Sequence, residues 1–561
     1  MVMPMDFHQE YPFGSARFAT AKEVRGAFRK TGGIPFGFLA GRLLFHSRHA
    51  GALLIGGAGS GKFVSVLAHI VADTGRGNGQ PPRYAILDPK GELAAVIGRG
   101  LVHQGAHVYC INPYRLHGLP DHSAALLAHL LPDSPMLVAD SRRVAMTLLP
   151  DSGGGNARFF EQKAQNWVDA LLRGLVHLDG EVSLLSLYDL VGMIRAAPDS
   201  WAQQADAMAA KGEPDLAVTY AEMLGMAEDS RKTYDSVMAE ISNALAFMAD
   251  PALQRTFTGT AGADFTLDVL TQADARPVHV FLIMPAELIA QNAALIRQFF
   301  STLRTLKQRK SNAPAVGLVM DEAARLGRFP EIAEFYSIGR GFGLSPLAVY
   351  QDIGQIRENL GPNGAMTLSA SADVEIYLGG GISDLETAQH LSRKLGQQTL
   401  AVDDALTNER AARAKREMMH GMLFGGADPM KTGLALRALD YEMRHQRKQA
   451  RALLTPDEIL AMPANKALVW ASGYGVRPFA VDKVPYYACR AYAGRFFPNP
   501  FHDRDQSRVQ VPTLWGMRSR RVIVEAVPDS YRYFPQYRNR EWAFIEGFRP
   551  PAPTRQIRGT P

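Results

Sequence analysis

A glycine-rich loop that ends in lysine is the part of the sequence whose residues most directly suggest chemistry. Residues 56–63 read Gly-Gly-Ala-Gly-Ser-Gly-Lys-Phe and follow the apolar run 52–55. This order fits the phosphate-binding pattern G-x-x-x-x-G-K between a strand and a helix. Glycines let successive backbone N–H groups face a polyphosphate, and the helix N-terminus adds positive charge. The loop therefore predicts a nucleoside triphosphate site. The alternative is a glycine-rich turn that binds nothing.

The candidate nucleotide-binding residues of this loop are Gly56, Gly57, Ala58, Gly59, Ser60, Gly61, Lys62 and Phe63. Lys62 is expected to reach the β- and γ-phosphates. Phe63 occupies the position where a serine or threonine usually coordinates Mg²⁺. Because a phenyl ring cannot coordinate the ion, we expect metal binding to depend on a carboxylate elsewhere, on phosphates and on water.

An acidic pair at the end of an apolar strand supplies such a carboxylate. The run 317–320 is followed by Asp321 and Glu322. In phosphoryl-transfer sites an aspartate at this position holds Mg²⁺, and the next glutamate polarises the attacking water as a general base. We therefore assign Asp321 to the metal and Glu322 to catalysis. The alternative is a carboxylate that caps a helix.

Two further residues have the types and positions of catalytic groups. Arg340 stands in the glycine-rich stretch 338–343, where a turn would expose it. An exposed arginine of this kind suits a finger that enters a neighbouring subunit's site and neutralises the γ-phosphate, or it is a surface arginine in a loop. Gln351 ends the next apolar strand, 347–350, from which it could sense the γ-phosphate; the residue type and position alone leave this role open.

A third loop follows the predicted strand 84–87. It reads Asp88-Pro89-Lys90-Gly91-Glu92 and lies at the carboxyl edge of the predicted sheet, where open α/β folds bind ligands. Asp88 and Lys90 are therefore candidate nucleotide-binding residues. The residue types alone favour a proline-glycine turn with a capping carboxylate.

Alternating strands and helices are expected to position these residues. The alternation over 51–115 predicts a parallel sheet, which resumes at 278–283, 316–320, 347–350 and 374–378, while 157–250 has helical periodicity. The predicted domains are an N-terminal lead-in (1–50), a nucleotide-binding domain (51–156 and 251–487, with a charged insertion at 403–450), an all-α domain (157–250) and a tail rich in arginine, aromatics and proline (488–561).

Composition limits the remaining possibilities. Two cysteines among 561 residues provide no disulfide framework. No apolar run reaches the roughly 18 residues of a spanning helix, so the sequence predicts a soluble chain. The net charge of +6 is uneven, because residues 490–561 contain 13 arginines and 6 acidic residues. Such a tail suits either nucleic-acid binding or docking on protein, and we expect docking.

Taken in order, the motifs resemble a known family. They are Gly14-Ser15-Ala16-Arg17-Phe18-Ala19, the loop 56–62, 87–93, Ile111-Asn112-Pro113, 321–327, 339–343, 351–355, 384–388 and 453–458. Together they resemble the coupling proteins of type IV secretion and conjugation systems, the TraG-like class, over residues 12–487.

This resemblance implies an α/β fold in which a RecA-like P-loop NTPase domain with a parallel-rich central sheet carries an inserted all-α domain. It implies an ATPase that uses ATP and Mg²⁺, assembles as a homo-oligomer, a hexamer, and drives DNA or protein translocation. The implied partners are relaxase-bound DNA or protein substrates and the secretion channel, at the cytoplasmic face of the inner membrane. It also makes Arg340, Gln351 and the loop 88–92 expected site residues.

Two features depart from the family pattern, namely the lack of N-terminal transmembrane helices and the presence of Phe63. Both favour a rival function, a nucleotide-regulated docking platform that hydrolyses ATP weakly or not at all. Lys62, Asp321, Glu322 and Arg340 favour the motor. The nature of the cargo, DNA or protein, and the secretion system served stay open at this level.

Overall fold

The computed structural model describes residues 11–30, 33–47, 50–72, 81–151, 157–273, 276–402, 405–426, 428–444 and 447–552. Its strands in chain order are β1 (Ile34–Leu39), β2 (Arg42–His46), β3 (Gly51–Ile55), β4 (Arg83–Asp88), β5 (His107–Ile111), β6 (Ala124–Ala125), β7 (Phe265–Thr266), β8 (Val278–Ile283), β9 (Val316–Met320), β10 (Leu344–Tyr350), β11 (Ala372–Leu378), β12 (Gln397–Val402), β13 (Arg447–Ala452), β14 (Lys466–Ala471), β15 (Val476–Asp482), β16 (Arg508–Thr513), β17 (Gly516–Ala526) and β18 (Glu541–Ile545).

The α-helices are α1 (Ala21–Ala27), α2 (Ala68–Ala72), α3 (Glu92–Val96), α4 (Leu137–Leu148), α5 (Ala157–Asp179), α6 (Leu184–Ala196), α7 (Pro198–Lys211), α8 (Pro214–Asp229), α9 (Arg231–Leu245), α10 (Pro251–Thr256), α11 (Ala293–Arg309), α12 (Glu331–Ser337), α13 (Ile353–Ser371), α14 (Leu385–Leu395), α15 (Ala405–Phe424), α16 (Pro429–Arg444) and α17 (Pro456–Leu460). Within the described residues, no helix is long and apolar enough to span a bilayer.

A large central sheet organises the fold. Among the described residues it has eleven strands in the order β2-β1-β15-β14-β11-β3-β10-β9-β4-β8-β5. All neighbours from β11 to β5 pair in parallel, whereas β11, β14, β15, β1 and β2 pair antiparallel. The carboxyl ends of β3, β10, β9 and β4 therefore meet at one edge, where the glycine-rich loop, Gln351 and the pair Asp321 and Glu322 follow the first three strands and Asp88 ends the fourth.

The parallel strands form because their sequences are continuous apolar runs that become buried on both faces. Every residue of β3, β4, β8, β9 and β10 is buried. Gly317 in β9 is required for close packing, since a Cβ atom there would lie 2.4 Å from the ring of Tyr84. The predicted strands 52–55, 84–87, 108–111, 278–283, 316–320, 347–350, 374–378 and 467–470 are all observed, and the predicted fold class is confirmed.

The N-terminal segment differs from the sequence-based description of a lead-in. Residues 34–39 and 42–46 form β1 and β2, which extend the central sheet at its antiparallel edge. β1 pairs with β15, some 440 residues later in the chain, and β2 pairs with β1. Since a short strand is stabilised by a distant partner rather than by its own sequence, local patterning did not reveal them.

Five consecutive helices, α5 to α9, occupy 157–245 where helical periodicity was recognised. Proline begins both α7 and α8, where its missing N–H and fixed φ are tolerated. Trp167 and Leu171 of α5 are completely buried. The Arg173 guanidinium ties α5 to α8 by contacting Asp215 at 2.7 Å.

The arginine-rich C-terminal region is folded on the same compact unit as the sheet. β16, β17 and β18 form a separate antiparallel sheet in that order. Behind it lies a buried cluster of Val102, Tyr531, Phe534, Tyr537, Trp542 and Phe544. Five aromatic side chains of this region therefore form a core, which agrees with the expected docking.

The C-terminal region also covers the edge strand β5. The side-chain amide of Gln536 accepts a hydrogen bond from Val108 N at 3.0 Å and donates one to Ala106 O at 2.8 Å. Farther along the same edge, His122 N donates to Cys110 O and His122 Nδ1 accepts from Cys110 N. These side chains occupy backbone groups that an open edge would offer to another strand.

The chain divides into two compact units. One comprises Thr20–Gly381 and Pro463–Pro561, and contains the central sheet, the helical bundle and the C-terminal sheet. The other comprises the described parts of Met1–Ala19 and Ile382–Met462. It contains the hairpin of β12 and β13, and the helices α15 and α16 of the segment expected to be a charged insertion.

Candidate nucleotide-binding site

The glycine-rich loop leaves β3 at the carboxyl edge of the sheet. Gly59 and Gly61 have φ of +73° and +81°, a region that favours glycine. Gly57 N donates to Gly381 O at 2.8 Å, and a Cβ atom at Gly57 would lie 2.5 Å from that oxygen. The glycines are therefore needed for the path of the loop and for its packing.

The loop has the donors that a phosphate group requires. In the described part of the chain, the N–H groups of Gly59, Gly61 and Lys62 have no hydrogen-bond acceptor. The hydroxyl of Ser60 is buried and also has no partner there. Because successive unpaired N–H groups beside a lysine form an anion-binding concavity, the loop fits a polyphosphate.

The helix after the loop begins with a π-helical turn, Phe63–Leu67. Single π-turns often occur at functional sites. The Phe63 ring is turned toward Tyr486 and packs edge-on at 5.6 Å between centroids. Tyr486 in turn packs against Phe496 at 5.2 Å. Phe63 therefore joins the loop helix to the segment after β15.

Glu322 lies at the centre of the candidate catalytic residues. Its Oε1 is 4.0 Å from Lys62 Nζ, and its Oε2 accepts a hydrogen bond from Gln351 Nε2 at 3.3 Å. Arg325 Nε lies 3.6 Å from the same Oε2. The structure thus brings Lys62, Glu322 and Gln351 together from three adjacent strands, and adds Arg325, which sequence patterns did not single out.

Three carboxyl groups share this edge. Burial raises the pKa of Asp321 to about 7; the charges of Glu322 and Asp88 act in the same direction, and that of Lys62 opposes them. Burial likewise raises the pKa of Asp88 to about 6 although Ala94 N donates to it at 2.8 Å. In the described residues, no group of three or more His, Cys, Asp or Glu side chains could hold a metal ion. Asp321 therefore fits Mg²⁺ only with phosphate and water completing the coordination.

Lys90 is not brought to the loop. Its Nζ lies 5.8 Å from the ring centre of Phe501. The strand that precedes it, β4, is separated from β3 by β10 and β9. Glu92 of the same loop accepts a hydrogen bond from Asn499 at the edge of the C-terminal region. This turn therefore also anchors the C-terminal region.

Arg340 is exposed and lies apart from the other candidate residues. It precedes the amino end of β10, whereas Gln351 follows the carboxyl end. Because β10 has seven residues, about 20 Å separate the two positions. Within one chain, Arg340 therefore does not approach the glycine-rich loop.

Lys483, which no sequence motif indicated, holds a backbone carbonyl of the glycine-rich loop. Lys483 Nζ donates to Ser60 O at 2.6 Å and to Gly379 O at 2.8 Å. Burial lowers its pKa. Lys483 follows β15 directly and lies 423 residues from Ser60, so the sequence around it does not indicate this contact. Only the three-dimensional arrangement relates it to the site.

The family model for Type IV secretory system Conjugative DNA transfer matches residues 15–418. The coupling protein VirD4 of Bartonella quintana (strain Toulouse) is 25% identical over 68% of this chain and 55% of its own length. The conjugal transfer protein TraG of Escherichia coli is 24% identical over 67% and 56%. A probable TraG of Sinorhizobium fredii is 26% identical over 38% and 29%. The chain thus spans about half the length of these relatives or less.

Solved structures of the plasmid coupling protein TrwB share the fold. A complex with ADP and Mg²⁺ is 18% identical, aligns with 84% of this chain and 94% of its own, and has a TM-score of 0.58. A complex with a non-hydrolysable ATP analogue has a TM-score of 0.57 at the same identity. At this identity the likeness shows the fold alone.

Proposed function

Because the chain belongs to the family of type IV secretory system conjugative DNA transfer proteins, we propose that it is a coupling ATPase. It recruits relaxase-bound DNA, protein substrates or both to a type IV secretion channel and uses ATP to drive their transfer. The observation that carries this proposal is the contact of Glu322 with both Lys62 and Gln351 at the carboxyl edge of the sheet. This arrangement suits hydrolysis as well as binding.

The proposed chemistry assigns a role to each group. The unpaired N–H groups of the loop bind phosphate oxygens, and Lys62 neutralises the β- and γ-phosphates. Asp321 holds Mg²⁺, which neutralises phosphate charge when bound. Glu322 accepts the proton of the attacking water, while Gln351 orients its carboxylate. The crystallised complex of TrwB with ADP and Mg²⁺ supports this choice of cofactors.

Arg340 is proposed to act on a neighbouring copy. Its distance from the loop of its own chain agrees with a finger supplied in trans, which stabilises charge on the transferred phosphoryl group. The proposed active form is therefore a ring, with hexamer as the expected size, at the cytoplasmic face of the inner membrane.

The second candidate function is a nucleotide-regulated docking platform. Phe63 favours it, because the ring replaces a metal-ligating hydroxyl and packs on Tyr486 instead. In this alternative the nucleotide stabilises one conformation of the chain, and hydrolysis contributes little to transfer.

The separating experiment compares two variants. Lys62→Ala should abolish ATP binding, because the phosphates lose a cation that no other loop side chain supplies. Glu322→Gln should bind ATP as the parent does but lose hydrolysis, because the water loses its base. Binding is measured by titration calorimetry, and phosphate release is measured with and without DNA. Parent-like hydrolysis by Glu322→Gln would contradict the assigned roles, and a parent without ATPase activity would favour the platform.

A further inference from the structure

The hairpin of β16 and β17 carries an unusual concentration of positive charge. Residues 508–521 contain four arginines, Arg508, Arg518, Arg520 and Arg521, and no acidic residue. In the described part of the chain, none of the four forms an ion pair. Arg508 stands directly opposite Arg521 in the strand register. Like charges in this position destabilise a strand pair; Arg508 Nε donates to Ser519 Oγ at 2.8 Å, and an anionic partner would stabilise the hairpin further.

The end of the hairpin is apolar. Thr513 pairs with Gly516, so Leu514 and Trp515 form the connecting turn. Leu514 is 79% exposed and Trp515 is 85% exposed, and the neighbouring Met517 is about half exposed. The other tryptophans, Trp167, Trp201, Trp470 and Trp542, are at most 9% exposed. A leucine and a tryptophan side by side in water are unfavourable unless an apolar phase receives them.

The placement of the arginines indicates how a partner would approach. Side chains alternate across a strand, so Arg508 and Arg521 share one face while Arg518 and Arg520 share the other. That second face also bears Val509 and Val511, which are buried. Arg518 lies two residues from the turn on one face, and that face is partly covered by protein. Arg508 and Arg521 lie on the other face, five residues back along the hairpin and about 16 Å from the turn. This arrangement favours contact through the end of the hairpin over contact along one face, as a nucleic-acid groove would require.

We propose that the β16–β17 hairpin is a peripheral membrane contact, in which Leu514 and Trp515 enter the headgroup region of an anionic bilayer. Arg518 then binds a lipid phosphate beside the inserted turn, and the arginines farther back add longer-range attraction to the anionic surface. Tryptophan favours the interface between headgroups and acyl chains, and leucine favours the acyl boundary. Each arginine adds electrostatic attraction to an anionic surface that decreases with salt. The proposal does not depend on ATP binding or hydrolysis.

The test uses the full chain and vesicles of phosphatidylcholine, alone or mixed with phosphatidylglycerol. The chain should cosediment with the mixed vesicles and not with phosphatidylcholine alone. Brominated acyl chains should quench Trp515, because it is the exposed tryptophan. Arg518→Ser should lower partitioning roughly fivefold, because it removes one charge beside the surface, and Arg508→Ser, which is farther from the turn, should lower it less. Leu514→Ser with Trp515→Ser should lower it by about tenfold or more and remove the quenching.

Matched controls come from the helical bundle. Val218 is 71% exposed, and the side chain of Arg231 is 70% exposed. Neither residue lies near the hairpin in sequence. Val218→Ser and Arg231→Ser should leave partitioning unchanged. Because the hairpin changes affect exposed side chains, thermal unfolding should also match the parent. If a variant fails to fold, quenching in the parent still decides the question.

Several results would overturn the proposal. They are absence of binding to mixed vesicles, binding without quenching, or hairpin variants that partition as the parent does. The nucleic-acid alternative is tested with a fluorescent single-stranded oligonucleotide. Loss of oligonucleotide affinity in the hairpin variants, with vesicle partitioning retained, would assign this surface to nucleic acid and reject the membrane contact.

Discussion

Glu322, the proposed general base, adopts a backbone conformation that few residues tolerate. Its φ of 57° and ψ of 41° lie in the left-handed region, which costs a non-glycine residue about 1–2 kcal/mol. The contacts of its carboxylate with Lys62, Arg325 and Gln351 offset that cost. Backbone strain of this kind is common at functional sites, where it fixes the direction of a side chain.

Titration of Asp321 should make Mg²⁺-dependent nucleotide binding depend on pH. Its pKa is about 7, and the ion needs the carboxylate, so binding should strengthen as the pH rises through 7. Asp321→Asn should bind more weakly and lose this dependence. Binding of a fluorescent nucleotide is measured from about pH 6 to about pH 8 with Mg²⁺ and with EDTA. An unchanged pH profile in Asp321→Asn would contradict the assignment.

The raised pKa of Asp321 has the opposite effect on the stability of the protein without nucleotide, which decreases as the pH rises. A carboxyl group whose pKa is raised by folding keeps its proton while the unfolded chain releases it. The free energy of unfolding should therefore fall as the pH rises from the usual value of 3.8 to about 7, and level off above it. Asp321→Asn should reduce this fall in urea unfolding experiments.

Phe63→Thr should restore a hydroxyl where related ATPases coordinate Mg²⁺. We expect tighter binding of Mg-ATP or faster hydrolysis. Loss of a buried ring can cost about 3–5 kcal/mol; Phe63 is only partly buried and contacts Tyr486, so the cost should lie below that range. Thermal unfolding is measured first, and Tyr486→Leu serves as a control that removes the ring contact but adds no hydroxyl. A folded Phe63→Thr chain with parent metal dependence would show that this position never limited the site.

At the scale of elements, β15 and the residue after it connect the antiparallel part of the sheet to the nucleotide loop. Lys483 N donates to Asn465 O at 2.8 Å, which fixes the residue, and its ammonium group holds Ser60 O and Gly379 O. Holding a loop carbonyl from behind keeps the N–H groups of the loop directed toward the phosphates. Lys483 is therefore a positioning residue.

Lys483→Met should weaken nucleotide binding by roughly tenfold, because two carbonyl groups lose their donor. The matched control is Lys466→Met, which breaks the surface pair with Asp482 and should have little effect. Lys483→Arg should recover part of the affinity, since it retains a donor. Nucleotide affinity and thermal unfolding are both measured. A lower unfolding temperature with parent affinity would reduce Lys483 to a structural role.

Local sequence predicted those elements whose burial determines their composition. The fully apolar runs of β3 and β9 are typical of internal strands, and glycine spacing identifies the loop. By contrast, β17 contains Arg518, Arg520 and Arg521, and its pairing with β16 and β18 stabilises it rather than its own hydrophobicity. The residues of the candidate site divide in the same way, into those that a local motif identifies and those that only the fold brings into place. Lys62 and Glu322 belong to recognisable motifs, whereas the contact of Lys483 depends on a distant fold.

At the scale of the whole molecule, the two ends of β10 serve different sites. Gln351 at its carboxyl end contacts Glu322, and Arg340 precedes its amino end. One copy therefore cannot present both residues to one nucleotide. If both act in hydrolysis, the catalytic unit is formed by adjacent copies.

Mixing two inactive variants should test this arrangement. Arg340→Ala keeps Glu322, and Glu322→Gln keeps Arg340, so a boundary between them contains one complete site. An equal mixture should regain roughly a quarter of the parent ATPase rate if sites act independently. The control mixes the single variant Arg340→Ala with a double variant that carries both Lys62→Ala and Arg340→Ala. This mixture contains no Arg340 and should stay inactive. Failure of the first mixture to recover, with rings present by light scattering, would argue against a finger in trans.

The cover on β5 has a consequence for how the protein is made. Val108 and the Gln536 that covers it are 428 residues apart. At a synthesis rate of about 5–20 residues per second, roughly 20 to 90 s pass between the emergence of the strand and that of its cover. During that interval the part of the strand edge around Val108 stays open in the nascent chain. On a polysome, where many such nascent chains lie close together, they are expected to associate with one another through this edge.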